Sequence, residues 1–177
     1  MEKKHIVVVL LLNILLLSSC FCGRNSRTVM LDADTSEQIA DAHLQQILDG
    51  LQTKDREKIK SLFSEQALTD TGDIDAGIDY LFEFFDGEVL RWDNNAGPSV
   101  GESINYGHVV KESRCFYDVE TDKQKYIIFF LEYTKDTDHP QNVGIYTLRV
   151  IKTEDKETEL GYWQDMKIAG IYIPEEK

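Results

Sequence analysis

Histidine, carboxylate and aromatic side chains in the second half of the sequence could together carry out acid-base chemistry or hold a ligand. His108 follows Tyr106 in the stretch NYGHVV, near the start of a predicted strand, and an imidazole changes its charge near neutral pH. Trp163 and Asp165 are two residues apart, so in a strand they would share one face and present a ring beside a carboxylate. These four side chains are our candidates for a ligand pocket. The alternative is that the rings pack in the core and Asp165 is a charge at its rim.

Motifs of the well-known catalytic and metal-binding types are missing from the sequence. It has no GxSxG stretch, no phosphate-binding glycine loop, no CxxC pair and no histidine spacing typical of a catalytic triad. The acidic loop DTDHPQN (136–142) lacks the EF-hand pattern, and calcium takes about six to eight oxygen ligands. His43 lies beside the apolar stripe of the first predicted helix, where a packing role is expected. We therefore expect no catalytic residue, no metal and no cofactor, and a binding protein rather than an enzyme.

A different chemistry is indicated at Cys20, which ends an apolar N-terminal segment. Lys3 and Lys4 precede an aliphatic run at 6–17 that one asparagine interrupts. At about 1.5 Å per residue this run spans roughly 18 Å, well short of a hydrocarbon core of about 30 Å, and such a segment is typical of a secretory signal. The stretch LSSC (17–20) resembles the lipobox of bacterial lipoproteins. The resemblance implies a diacylglycerol group on the Cys20 sulfur and cleavage just before it, whereas a plain secretory signal with an incidental cysteine is the alternative.

This interpretation divides the chain into a lipoprotein signal peptide at 1–19, a lipidated tether at 20–34 and a single domain at 35–177. Two acyl chains suffice for stable membrane attachment, so we expect a lipid-anchored protein of the bacterial cell envelope that faces outside the cytoplasm, detectable with palmitate. An exported compartment permits a disulfide between Cys22 and Cys115. However, Cys22 falls in the predicted tether and Cys115 in a predicted strand, which disfavours the pairing.

The charge of the chain argues against two classes of partner. The formal net charge is −13 at pH 7, and affinity for nucleic acid rests largely on Lys and Arg at phosphates. The same acidic excess disfavours docking on anionic lipid head groups, so the lipid anchor should hold the protein at the membrane. We interpret the charge as serving the solubility of an exported domain rather than as a binding surface.

Helical patterns come first in the domain and strand patterns follow. The helices are predicted from an N-cap at Thr35 to 50–53, after a cap at Asp55, and from Asp73 until Gly87. Strands are predicted at 88–93, 111–121, 126–133, 143–152 and 160–173, with a turn around Pro98 and a charged hairpin tip at 153–158. This order predicts an α+β domain with its N-terminal helices packed on one face of an antiparallel sheet.

The strand YIIFFLEY (126–133) is apolar on both of its faces through residue 131. The helices would cover one face. The other requires a bend of the sheet, a neighbouring loop or a second subunit, so a homodimer through the sheet face is one of the open alternatives.

Three stretches, GEVLRWDNNAGPSVGES (87–103), NVGIYTLRVIK (142–152) and KIAGIYIP (167–174), carry a wider resemblance. With them, residues 35–174 resemble an uncharacterised family of bacterial lipoproteins with the nuclear-transport-factor-2-like, or cystatin-like, cone fold. The resemblance implies helices on a curved sheet and a conical pocket between them, into which His108 could project from a strand. It carries over no site residue, and a fold alone does not define a function.

We therefore expect a membrane-anchored extracytoplasmic lipoprotein with a non-catalytic domain that binds a protein, another envelope component or an unidentified ligand. The alternative is a small-molecule-binding protein or an enzyme that uses a cone pocket near His108, Trp163 and Asp165.

Overall fold

The structure, a computed structural model, describes residues 26–94, 97–160 and 166–174. The helices that open the described part of the chain are α1 (Ser26–Thr53), α2 (Arg56–Ser61), α3 (Glu65–Asp70) and α4 (Ile74–Phe84). The strands that follow are β1 (Val89–Asp93), β2 (Ser99–Asn105), β3 (His108–Thr121), β4 (Lys125–Asp136), β5 (Gly144–Lys152) and β6 (Gly170–Ile171), with a short helix α5 (Lys156–Glu159) before the last. Residues Asp34–Lys177 form one compact unit. The predicted α+β class is confirmed.

Side-chain caps explain where the short helices begin. The side chains of Asp55, Ser64 and Asp73 each accept a hydrogen bond of 3.0–3.1 Å from the backbone N–H three residues further on, which satisfies one of the free donors at a helix start. The cap at Asp55 and the start of a helix near Asp73 were predicted, whereas the short helix α3 was not.

The first helix starts earlier than the sequence pattern predicted. It begins at Ser26 and not after Thr35, so part of the segment 20–34, which was expected to be an irregular tether, is helical. No glycine or proline stands between Ser26 and Asp49 to end the helix. Among the described helices, none combines the length and the apolar character needed to span a membrane.

The six described strands form one curved, open sheet in the order β1-β3-β4-β5-β6, and β2 pairs with the other half of β3. Register shifts at Lys111/Glu112 and at Leu131/Glu132 interrupt the ladders on both sides of β4. Such bulges bend a strand and increase its twist. They curve the sheet near Glu132, which becomes important for the site described below.

The prediction of a purely antiparallel sheet was wrong at its last strand. β6 pairs parallel to β5 through Thr147 and Leu148, because the chain crosses over between them instead of making a hairpin at 153–158. Parallel neighbours need a connection of about a dozen residues or more, and the segment after Lys152 has that length and includes α5. The Thr147 hydroxyl holds the end of this connection against β5 by donating to the backbone oxygen of Ile168 at 2.6 Å.

The second difference is β2, which occupies the region predicted to be only a turn. Every residue of Ser99–Asn105 is exposed, yet the strand pairs continuously with His108–Arg114 of β3. Because no face of β2 is buried, its sequence lacks the apolar alternation by which strands are recognised.

The core lies between the helices and one face of the sheet. Ala40, Leu44 and Ile47 of α1 pack with Ile128 and Phe130 of β4, and all five side chains are fully buried. On the opposite face Phe129 and Leu131 pack with Met166, which lies in the crossover between β5 and β6. The described chain itself therefore covers both faces of β4, as one of the predicted alternatives required.

We expect Gly144→Ala to lower the free energy of unfolding by about 1–3 kcal/mol, the usual cost of forcing a side chain into this backbone region. Gly144 has a φ of 127°, and a Cβ there would stand 2.9 Å from the backbone nitrogen of Ser64. That nitrogen donates to the Ile145 oxygen, so the clash falls on the bridge between the helices and β5. Urea unfolding measures the change.

Gly101→Ala in β2 is the matched control, because a Cβ there meets no atom within 4 Å. Its effect should stay within about 0.5 kcal/mol. Equal costs for the two variants would contradict the assignment of strain to Gly144.

Candidate functional site

A buried carboxylate on β4 forms the centre of the candidate site. Glu132 is 1% exposed and lies opposite Ser113 of β3, at the point where the bulge bends the sheet. Its Oε2 contacts the Nδ1 of His43 on α1. Its Oε1 is buried and has no hydrogen-bond partner in the described part of the chain. A charge-bearing group in such a place is costly unless something compensates it.

His43 links this carboxylate to solvent. Its side chain is 29% exposed while the Glu132 side chain is 1% exposed, so the imidazole lies at the surface end of the pair. The hydrogen bond to Glu132 is the main reason why the pKa of His43 is raised, burial opposes the shift, and the carboxylate charge adds to it. The pair therefore favours the protonated imidazole to a higher pH than an isolated histidine would.

A second polar pair joins the same helix to the same sheet face. The Tyr117 hydroxyl donates a hydrogen bond of 2.7 Å to Asp41 Oδ1. Burial, followed by the hydrogen bond to Asp41, raises the pKa of Tyr117 above its ordinary value, so this phenol stays a neutral donor. Its ring stacks on Phe130 with centroids 5.9 Å apart and meets Trp92 edge-on at 5.7 Å. These contacts fix the position of the hydroxyl.

Cys115 lies between the two pairs along β3. It is a fully buried free thiol, and its Sγ is 3.6 Å from the Ser113 hydroxyl. Burial is the main cause that raises the pKa of Cys115 to about 12, and the charges of Glu132 and Asp41 act in the same direction. Because the thiolate is the reactive form, this cysteine is not equipped as a nucleophile near neutral pH. Cys22, whose pairing with Cys115 the sequence disfavoured, lies outside the described residues.

The four residues predicted as pocket candidates do not take part in this arrangement as far as the structure describes them. Tyr106 is 97% exposed in the tight turn between β2 and β3. His108 follows that turn, and its Nδ1 contacts Asp138 Oδ1 with both side chains exposed. Trp163 and Asp165 lie outside the described residues. The turn places His108 at the tip of a hairpin instead of between helices and sheet.

The acidic loop after β4 has a structural explanation. Asp136 Oδ1 accepts from the backbone nitrogens of Asp138 and His139, and its Oδ2 accepts from the Asn142 side chain. The hydrogen bond from the His139 backbone is the main cause that lowers the pKa of Asp136. Within the described residues, no group of three or more His, Cys, Asp or Glu side chains could hold a metal ion.

An open cavity of about 340 Å³ lies elsewhere, along β1, β3 and β4, and Trp92 and Tyr126 form part of its lining. The Glu120 carboxylate in its wall accepts from Arg91 at 2.6 Å and lies 3.8 Å from Lys125. The charge of Glu120 is thus compensated by two cations. We assign the candidate site to the Glu132 region, where a fully buried carboxylate oxygen has no partner in the described part of the chain.

The sequence contains a pattern that indicates the inward direction of Glu132, although Glu132 was not among the predicted pocket residues. Tyr126, Ile128, Phe130 and Glu132 alternate along one strand, so a strand whose apolar members face the helices also turns Glu132 toward them. A carboxylate at the end of such a run is expected to have a partner, and His43 in the first helix was available. The pairing itself, across 89 positions of sequence, had no local signal.

Comparison with known proteins supports family membership but no biochemical function. No curated protein matches the sequence. Residues 46–153 match a family described as Domain of unknown function (DUF5104), a range that runs from within α1 to the end of β5 and includes Glu132 but not His43. Since the match covers more than half of the sequence, the chain belongs to the DUF5104 family.

Proposed function

We propose that the protein is a bacterial lipoprotein, anchored through Cys20 at the outer side of a membrane, whose α+β domain binds a ligand without converting it. The observation that carries the proposal is the stretch LSSC (17–20) directly after a basic start and a short aliphatic run. These features together are typical of a secretory signal that ends in an acylated cysteine.

The described domain supports the binding part of the proposal. Its most buried carboxylate, Glu132, has one oxygen held by His43 and the other without a partner among the described side chains. Cys115 is kept protonated by burial, so no activated thiol stands beside the carboxylate. The arrangement offers a place to bind a donor group.

Labelling of cells with radioactive palmitate tests the anchor. The parent chain should take up label, and Cys20→Ala should lose essentially all of it and keep its uncleaved signal segment, because the acyl chains attach to that sulfur. Autoradiography and the apparent mass of the protein measure both effects.

Cys22→Ala is the matched control, because it removes a thiol two positions away and leaves LSSC intact. It should be labelled and processed like the parent. If Cys20→Ala takes up as much label as the parent and remains equally firmly in the membrane pellet, the proposal fails.

The second candidate function is a small-molecule-binding protein or enzyme that uses the space between helices and sheet. It is favoured by one specific observation, the contact between an imidazole and a buried carboxylate at His43 and Glu132, which could exchange a proton with a bound molecule. Turnover that disappears in Glu132→Gln would favour the enzyme, whereas binding without turnover would favour the principal proposal.

A further inference from the structure

The unpartnered oxygen of Glu132 points to a hydrogen-bond donor that the described chain does not supply. Leaving a buried acceptor unsatisfied destabilises the folded state, and more so when the acceptor is charged. Buried unsatisfied groups are rare in folded proteins and call for a reason, such as a functional role or a bound water or ion. Glu132 is 1% exposed, so bulk solvent does not remove the cost.

The side chains around this oxygen favour a positively charged donor. Two carboxylates lie on the side of the sheet that faces α1, because Glu132 contacts His43 of that helix and the Tyr117 hydroxyl donates to Asp41 of the same helix. His43 holds only one oxygen of Glu132, and the Asp41 carboxylate accepts from the neutral hydroxyl of Tyr117. In this group, the carboxylate charges outnumber the single imidazole.

A bare metal ion fits the site poorly. In the described residues no cluster of three or more metal-ligating side chains exists, and hard divalent cations want several oxygen ligands. A primary ammonium group needs fewer fixed partners, because it offers three donors from a single charged atom and can share them with hydroxyl and carboxylate oxygens. The Ser113 hydroxyl opposite Glu132 is such an oxygen.

We propose that Glu132 binds the primary ammonium group of a small organic ligand that reaches it beside His43. The partly exposed His43 side chain marks the solvent end of the pair, so the rest of the ligand would extend toward solvent beside His43. A charge-assisted hydrogen bond to the buried carboxylate is stronger than a neutral one. This inference rests on the proposed binding function of the domain and is independent of the lipid anchor.

The test uses the full chain in non-ionic detergent and n-butylammonium chloride as the probe. Titration should give saturable binding. Calorimetry and the carbon-13 signal of the Glu132 carboxyl group in the unaltered protein are the two measurements of it. Butan-1-ol and sodium butyrate have similar chains without the ammonium group and should bind at least tenfold more weakly. Glu132→Gln should weaken binding of n-butylammonium at least tenfold.

Asp138→Asn is the matched control, because Asp138 also contacts a histidine but lies exposed. It should bind n-butylammonium within twofold of the parent chain. Circular dichroism tests whether Glu132→Gln is folded. If this variant is unfolded, the carboxyl signal of the unaltered protein decides whether n-butylammonium binds at Glu132.

Three outcomes would overturn the inference. They are the absence of saturation in the parent chain, equal affinity of Glu132→Gln and the parent, and a crystal structure grown with n-butylammonium that shows only an ordered water at Glu132 Oε1. Any of them, together with normal palmitate labelling at Cys20, would rule out the ammonium ligand while the proposal of a lipoprotein would still stand.

Discussion

Phe129→Ala should lower the free energy of unfolding by about 3–5 kcal/mol, as much as Phe130→Ala, although the two side chains point to opposite faces of the sheet. Both rings are fully buried. Phe130 packs in the main core with the helices, and Phe129 packs with Leu131 and Met166 on the other face. Deleting either ring removes a large apolar surface and leaves a cavity that neighbours fill only partly.

The reason for expecting equal costs is that this chain covers the second face by itself. Met166 is 5% exposed, and the ring of Phe116 lies 4.7 Å from that of Phe129. Urea unfolding of the full chain in non-ionic detergent, repeated at two protein concentrations tenfold apart, measures the change. The cost should be the same at both concentrations.

Ile104→Ala in β2 is the control, because Ile104 is 67% exposed and its truncation should cost within about 0.5 kcal/mol. A cost for Phe129→Ala below about 1 kcal/mol would contradict packing of the face by the described chain. A cost that varies with protein concentration would instead favour the homodimer through the sheet face, because dissociation would then accompany unfolding.

Segments with strong local signals could be predicted from the sequence. The caps at Asp55 and Asp73 place a short polar side chain three residues before the backbone donor that it satisfies. β4 and β5 have long runs of β-branched and aromatic residues. In each case the residues that determine the element lie within or beside it, so a short stretch of sequence contains the information.

Elements that depend on distant partners could not be predicted in the same way. β2 is exposed along its entire length and exists because β3 extends far enough to pair with it. β6 has only two residues, and its parallel direction follows from the crossover that leads to it, whose end is held by the hydrogen bonds between Thr147 and Ile168. Neither the exposed strand nor the crossover shows a periodic pattern of apolar residues in its own segment, so neither could be recognised from that segment alone.

The candidate site depends both on a local sequence pattern and on a distant partner. The inward direction of Glu132 follows from alternation along β4, whereas its contact with His43 depends on how α1 packs across the sheet. The prediction of a packing role for His43 was therefore incomplete, since the same side chain also pairs with a buried carboxylate. His108 was predicted as a pocket residue because it stands near a strand start, but the turn at Tyr106 and Gly107 leaves that side chain exposed.

The other large effect is expected at this pair, where His43→Gln should cost about 2–3 kcal/mol at pH 6. Breaking a fully buried ion pair by removing one partner costs about 3–5 kcal/mol, because a buried charge is left uncompensated. His43 is 29% exposed on its side chain, so water can replace part of the lost interaction, and we expect a value at or below the lower end of that range. The surface pair of His108 and Asp138 gives a comparison, since His108→Gln should cost less than about 1 kcal/mol.

The pH dependence separates this ion pair from simple loss of packing. The hydrogen bond to Glu132 raises the pKa of His43 above its ordinary value of 6.5, so the folded state binds the proton more tightly than the unfolded state does. The stabilisation is then fully present below about pH 6.5 and is lost as the pH rises through the raised pKa of the folded protein. The difference in unfolding free energy between the parent and His43→Gln should therefore shrink from pH 6 to pH 9.

Glu132→Gln provides the control for that pH dependence, because it removes the carboxylate that raises the pKa of His43. In this background His43→Gln should have a smaller effect, and the effect should be nearly constant over the same pH range. A difference between parent and His43→Gln that stays constant from pH 6 to pH 9 would show that His43 contributes as a neutral imidazole, through packing and an uncharged hydrogen bond. The imidazole would then not compensate the buried charge of Glu132, and the carboxylate would need its positively charged partner from outside the described chain.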